Sequence, residues 1–163
     1  MKKFELTAEF VTNVFGKKLF RIKALVAFGN VEKGELGGFI EKEDNLSHDG
    51  NAWVYGNAKV FGNAQVYGNA QVYGNAWVYG NAQVSGNADY AVVKGFGRCF
   101  RTTTFFRCKD KILRVQCGCF YGDLAQFREI VKKTHGDSKY AKEYLAIADL
   151  MELHFSDECG GEQ

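Results

Sequence analysis

The 163-residue sequence contains no proline, only two methionines and three histidines, and its lysines and arginines outnumber its acids by just two. Without proline, no turn is fixed by a pyrrolidine ring, so chain reversals must rest on other residues. A net charge of +2 singles out neither a nucleic acid nor a membrane surface as partner. No stretch has the length and apolarity of a membrane span, and the FELTAEF segment after Met1-Lys2-Lys3 lacks the apolar core of a signal peptide. A cytoplasmic location is therefore expected. Five cysteines (Cys99, Cys108, Cys117, Cys119 and Cys159) are an odd number with no paired C-x-x-C knuckles, so reduced thiols are expected and no metal or other cofactor.

Glycine is abundant, with 19 residues, and its excess lies in a repeat. From Gly50 to Ala91 the chain runs through seven copies of Gly-Asn-Ala, among them GNAWVY, GNAKVF, GNAQVY and GNAQVS, the last degraded to GNADYA. A six-residue period is neither the 3.6 of a helix nor the alternation of an ordinary strand, and it reads as a solenoid. Val54, Val60, Val66, Val72, Val78 and Val84 fill the interior, and the alanines two residues earlier take the inward positions where only a small side chain fits. Glycine permits the corner backbone and its asparagine neighbour bonds locally. Three hexads make a triangular coil of about eighteen residues. Stacking by that interval sets Trp53 below Gln71 and Asp89, Lys59 below Trp77, Gln65 below Gln83, Tyr55 with Tyr73, and Phe61 with Tyr79. Ile40 and Leu46 add two imperfect hexads, followed by a two-residue slip near Ser47-His48-Asp49, which gives nine hexads, or three coils, through Tyr90.

The valine and alanine phase resembles the hexapeptide repeat of left-handed parallel β-helices, whose coils pair about 4.8 Å apart. The fold expected is mainly β: a short left-handed β-helix over residues 34–91, a capping hairpin at 1–33, and a carboxy-terminal α+β module at 92–163. The resemblance implies a homotrimer with parallel rods. Aromatic side chains have no room in an interior filled by valine, so Trp53, Tyr55, Phe61, Tyr67, Tyr73, Trp77 and Tyr79 are expected on the outer surface as the oligomer interface. The whole layout, from FRIKALVAFGNV and KGELGGFIEKEDNLSHDGNAWVYGNA to TTTFFRCKD, RVQCGCFYG, FREIVKKTHG and AKEYL, also resembles uncharacterised phage and prophage proteins. That likeness implies the host bacterial cytoplasm and a counter-defence role.

Charge is concentrated after the repeat. Between Lys94 and Lys139 stand eleven basic and four acidic residues, whereas the repeat has only Lys59 and Asp89. Within that region, Gly95, Gly97, Arg98, Arg101, Thr102, Thr103, Thr104 and Arg107 combine flexible amides, forked donors and hydroxyls suited to phosphate or carboxylate. Phe105, Phe106 and Phe120 are candidate stacking faces for a base. The leading expectation is a non-enzymatic binding protein that sequesters an anionic, nucleotide-like small molecule. The plain alternative is a cap hairpin with a solvated basic face. A second function class is an acyl-CoA-dependent acyltransferase with His48 as general base, which the hexapeptide resemblance implies. A third is an inhibitor that binds a host protein through the aromatic rod face. No repeated basic face lies on the rod, which argues against DNA. Beyond the hairpin, Asp123 to His135 reads as an amphipathic helix capped by Asp123 and Gly136, and Ser138 opens a second helix to about Phe155.

Overall fold

The computed structural model describes residues 2–118 and 120–156, so Cys119 and Cys159 lie outside the described residues. It is mainly β with two carboxy-terminal helices. Strands β1 (Phe4–Thr12) and β2 (Lys18–Ala24) form an antiparallel hairpin, and β2 continues antiparallel onto β3 (Leu36–Ile40). The repeat supplies six two-residue strands: β4 (Trp53–Val54), β5 (Lys59–Val60), β6 (Gln65–Val66), β7 (Gln71–Val72), β8 (Trp77–Val78) and β9 (Gln83–Val84).

The strands pair in parallel at the interval the hexads imply. Trp53 stands opposite Gln71, Lys59 opposite Trp77, and Gln65 opposite Gln83. Tyr55 stacks on Tyr73 at 4.4 Å between ring centroids and Phe61 on Tyr79 at 4.7 Å. In the first coil, Ile40 pairs with Val60 and Leu46 with Val66, an interval of twenty, which absorbs the two-residue slip. The interior alanines and valines are fully buried. Gly50 and Gly68 show why the corner needs glycine: both have positive φ (71° and 64°), and a Cβ on either would lie 2.5 Å from a carbonyl oxygen of the next coil.

The third column stops at two strands, β4 and β7, rather than three. Tyr90 was expected as the ninth hexad. It instead opens β10 (Tyr90–Phe96), which turns away into an antiparallel sheet with β11 (Arg101–Arg107), β12 (Leu113–Cys117) and β13 (Phe120–Asp123). Helices α1 (Leu124–His135) and α2 (Lys139–His154) cover that sheet. Asp123 and Gln126 close a capping box on α1, and Gly136 ends it with φ 58°.

A stack of parallel coils has two unlike ends. Each N–H donates to the coil above, as Trp53 does to Ala70 and Lys59 to Ala76. The first coil is therefore left with spare carbonyls and the last with spare N–H groups, and each needs a partner. At the first end the partners are the backbone of β2 and two cations: Lys3 Nζ donates to Ala52 O at 2.7 Å, and Arg21 Nη1 to Gly37 O at 2.6 Å. At the last end they include hydroxyls: Thr104 Oγ1 accepts from the Trp77 amide at 3.2 Å, and Tyr90 Oη accepts from the Tyr73 amide at 3.2 Å while donating to Gln71 O. The Lys109 amide adds a bond to Asn81 O at 2.7 Å. Phe106 is fully buried and closes the interior above Val78 and Val84 as part of the same apolar cluster.

The caps correct the expected rod surface. Trp53 is fully buried beneath Phe4 and Phe28 of the amino-terminal region, edge-on to both. Phe61 is buried with Leu19 and Phe39. Neither faces outward, because the hairpin covers the ring positions that the valine core excludes. Tyr55, Trp77 and Tyr79 are half-buried, and Tyr67 and Tyr73 are exposed. Asp89 does not sit on the Trp53–Gln71 ladder either: it accepts from the Ser85 amide and pairs with Arg107. Among the described residues, no helix is long and apolar enough to cross a membrane.

Candidate anion-binding cavity

Alternation along β11 divides the expected ligand set between two faces. Thr104 and Phe106 point to the solenoid, and Thr103 and Phe105 point to the helices, where Phe105 packs edge-on to Phe127. Thr103 and Thr104 are both buried; Thr103 Oγ1 lies 3.2 Å from Cys117 Sγ, and Thr104 is committed to Trp77. Thr102 is half-buried, whereas Phe105 and Phe106 are enclosed and offer no stacking face. Arg107 is also engaged: its Nε pairs with Asp89 at 3.2 Å, its Nη2 donates to Phe155 O at 3.1 Å, and its guanidinium lies 5.3 Å from the Phe155 ring centroid. These residues join the module to the rod and to α2. No sequence signal marks that use, because the capping demand at a solenoid end is invisible until the end is located.

The turn between β10 and β11 behaves differently at its two glycines. Gly97 is buried with φ 78°, and a Cβ there would come within 2.2 Å of Tyr144 Oη. Its amide donates to Glu143 Oε1 at 2.9 Å, so that amide is already satisfied by a carboxylate. Gly95, with φ 99°, has open space around it.

Arg98 and Arg101 remain, and the structure brings them together. Both line a cavity of about 560 Å³ between the sheet and α1, a size suited to a small-molecule ligand. Its apolar wall comes from Phe120, Phe127, Ile130 and Val131, and its polar atoms come from Cys99, Cys117, Thr134, His135 and Tyr144. Of the five arginines in the module, Arg107, Arg114 and Arg128 are paired with carboxylates, Arg114 with Asp110 at 3.0 Å and Arg128 with Asp149 at 2.9 Å. Among the described residues, Arg98 and Arg101 have no carboxylate partner. The two guanidiniums that lack a carboxylate partner among the described residues of the module thus line one apolar cavity.

Gly118 makes room for one of them. It has φ 59°, and a Cβ on it would lie 1.8 Å from Arg101 Nη1, so the guanidinium rests directly over this residue. Tyr144 is buried beneath the cavity; its hydroxyl donates to Phe96 O at 3.2 Å, and His135 stacks on its ring at 5.9 Å. Burial, with the neighbouring Cys117 thiol, pushes the Tyr144 phenol up to about 12, so it stays protonated at neutral pH. Helix α1 was legible as an amphipathic stripe. That Ile130, Val131 and His135 form a cavity wall was not, since spacing does not say what a helix docks on.

His48 stands elsewhere, in a shallow polar groove of about 970 Å³ with Lys2, Glu43, Asp49, Tyr67 and Gln83. Its ring lies flat on Phe4, 4.2 Å between centroids. Nδ1 accepts from the Lys3 amide at 3.0 Å, which leaves the proton on Nε2, 3.2 Å from Glu43. The lone pair a general base needs is therefore occupied by the backbone. Among the described residues, no group of His, Cys, Asp or Glu is arranged to hold a metal ion.

No curated protein matches the chain. A family described as the YdcK beta solenoid repeat matches residues 64–80 and 70–86, so over the last coils of the rod this chain is similar to that β-solenoid repeat.

Proposed function

We propose that this chain is a non-catalytic binding protein whose carboxy-terminal module captures a small anionic ligand, of nucleotide-like chemistry, in the cavity between β11, β12 and α1. One observation carries the reading: Arg98 and Arg101 line an apolar cavity without a carboxylate partner, while the other arginines of the module are paired. A guanidinium pair offers bidentate donors to phosphate or carboxylate. Phe120 and Ile130 supply the apolar face for the body of the ligand.

In this reading the rod is a left-handed β-helix that assembles as a homotrimer and holds three such modules together. The exposed Tyr67 and Tyr73 and the half-buried Tyr55 supply contact area for that assembly. Sequestration of a nucleotide signal in a phage counter-defence setting is the role this combination suits. Isothermal calorimetry with ADP-ribose and cyclic nucleotides tests it, together with native mass spectrometry for the assembly. Arg101→Ala is expected to abolish binding with the assembly unchanged, and retained affinity overturns the site. A host-protein partner on the exposed tyrosines is the second reading, tested by changing Tyr67 and Tyr73. The acyltransferase alternative gains no support from the placement of His48, and an absence of acyl-CoA uptake would close it.

A further inference from the structure

The cavity holds a second chemistry that anion capture does not use. Cys99 is exposed and Cys117 is half-buried, both are free thiols, and both line the same cavity as Arg98 and Arg101. Cys117 Sγ is held inside, 3.2 Å from Thr103 Oγ1 and 3.9 Å from Tyr144 Oη. Cys99 sits in the turn before β11, at the solvent side. Cys99 and Cys117 stand close enough to Arg101 to favour its charged form, so both thiols flank the guanidinium expected to hold the anion.

We propose that Cys99 is a site of reversible mixed-disulfide formation with anionic low-molecular-weight disulfides of the oxidised-glutathione class, whose carboxylates Arg98 and Arg101 receive. The inference rests on the anion-capture reading of this cavity. The Cys99 thiol gives up its proton, and the resulting thiolate attacks one sulfur of the disulfide. A new S–S bond forms to Cys99, the old one breaks, and the departing thiolate takes up the proton. No other oxidant is required, and a reduced small thiol reverses the step. The adduct fills the space over Phe120 and occupies the guanidinium pair, so the modified protein no longer takes up its anionic ligand.

The test uses the full chain, freshly reduced, with oxidised glutathione and with cystamine, a cationic disulfide, as the two probes. Adduct formation is followed by intact mass and mapped by peptide mass spectrometry. Expected is one adduct, at Cys99, formed about tenfold or more faster with oxidised glutathione than with cystamine when each rate is scaled to that of an unstructured thiol peptide. Arg98→Gln with Arg101→Gln removes the preference, as does high salt on the unmodified sequence, which guards against a variant that fails to fold. Equal scaled rates, or an adduct confined to Cys108, Cys119 or Cys159, overturn the proposal. ADP-ribose calorimetry on Cys99→Ser separates the two readings. Binding without any disulfide preference sinks only the thiol inference, whereas a preference without nucleotide binding sinks only the nucleotide reading.

Discussion

Trp53 offers a sharp test of the caps, because the repeat places it on the outside and the tertiary structure places it inside. Its ring is fully buried, edge-on to Phe28 at 5.3 Å and to Phe4 at 6.4 Å, and its Nε1 is buried without a hydrogen-bond partner among the described residues. Truncation to alanine removes the whole ring from a packed site, which costs about 3–5 kcal/mol. Replacement by phenylalanine keeps much of that ring and also removes an unpaired buried N–H, whose desolvation costs about 1–3 kcal/mol. The two effects oppose, so Trp53→Phe is expected within about 1 kcal/mol of the parent. Urea unfolding followed by circular dichroism measures both, and Trp77, the other of the two tryptophans, reports tertiary structure by fluorescence in each variant. If Trp53→Ala changed oligomeric state while leaving monomer stability intact, the burial argument would be wrong. If phenylalanine cost as much as alanine, the indole N–H would have a partner the packing does not provide.

Thr104→Val keeps the shape of the cap and deletes the acceptor for the Trp77 amide, so a loss of about 1–3 kcal/mol is expected in the same unfolding assay. Arg107→Ala is expected to lower stability by about 1–2 kcal/mol without changing ligand affinity. Arg101→Ala should do the reverse, and calorimetry beside urea titration separates them. Burial lowers the Lys3 ammonium from the ordinary value near 10.5 to about 8. In that interval the unfolded chain binds the proton and the folded chain has released it, so stability due to Lys3 rises with pH from about 8 to 10.5 and is lowest below 8. The difference between the parent and Lys3→Met should follow that slope, and a flat difference would show that Lys3 is solvated.

Much of the rod was legible because its signal is one-dimensional. A six-residue period with valine and alanine in fixed phase admits one stacking interval, and Trp53–Gln71, Lys59–Trp77 and Tyr55–Tyr73 pair at it. The two-residue slip before Val54 was equally readable, as the mismatch between Leu46 and the hexads. The helices followed from Asp123, Gly136 and Ser138, each of which states a helix end locally. The candidate site was only half legible. Arg98 and Arg101 looked no different from Arg107, and Thr102 no different from Thr104, because residue type and spacing say what a side chain offers but not what its neighbours already use.

The sequence by itself determined the coil, its phase and its core, since those depend on contacts repeated at a fixed interval along the chain. Only the tertiary structure decided the ends. The polarity of a parallel stack exposes carbonyls at one end and amides at the other, and Lys3, Arg21, Tyr90 and Thr104 were drawn to them from distant positions in the chain. Once the rod and α2 had claimed Thr104 and Arg107, Arg98 and Arg101 were left over the apolar wall of α1. Long-range docking chose among chemically equal residues, and no local pattern encodes that choice.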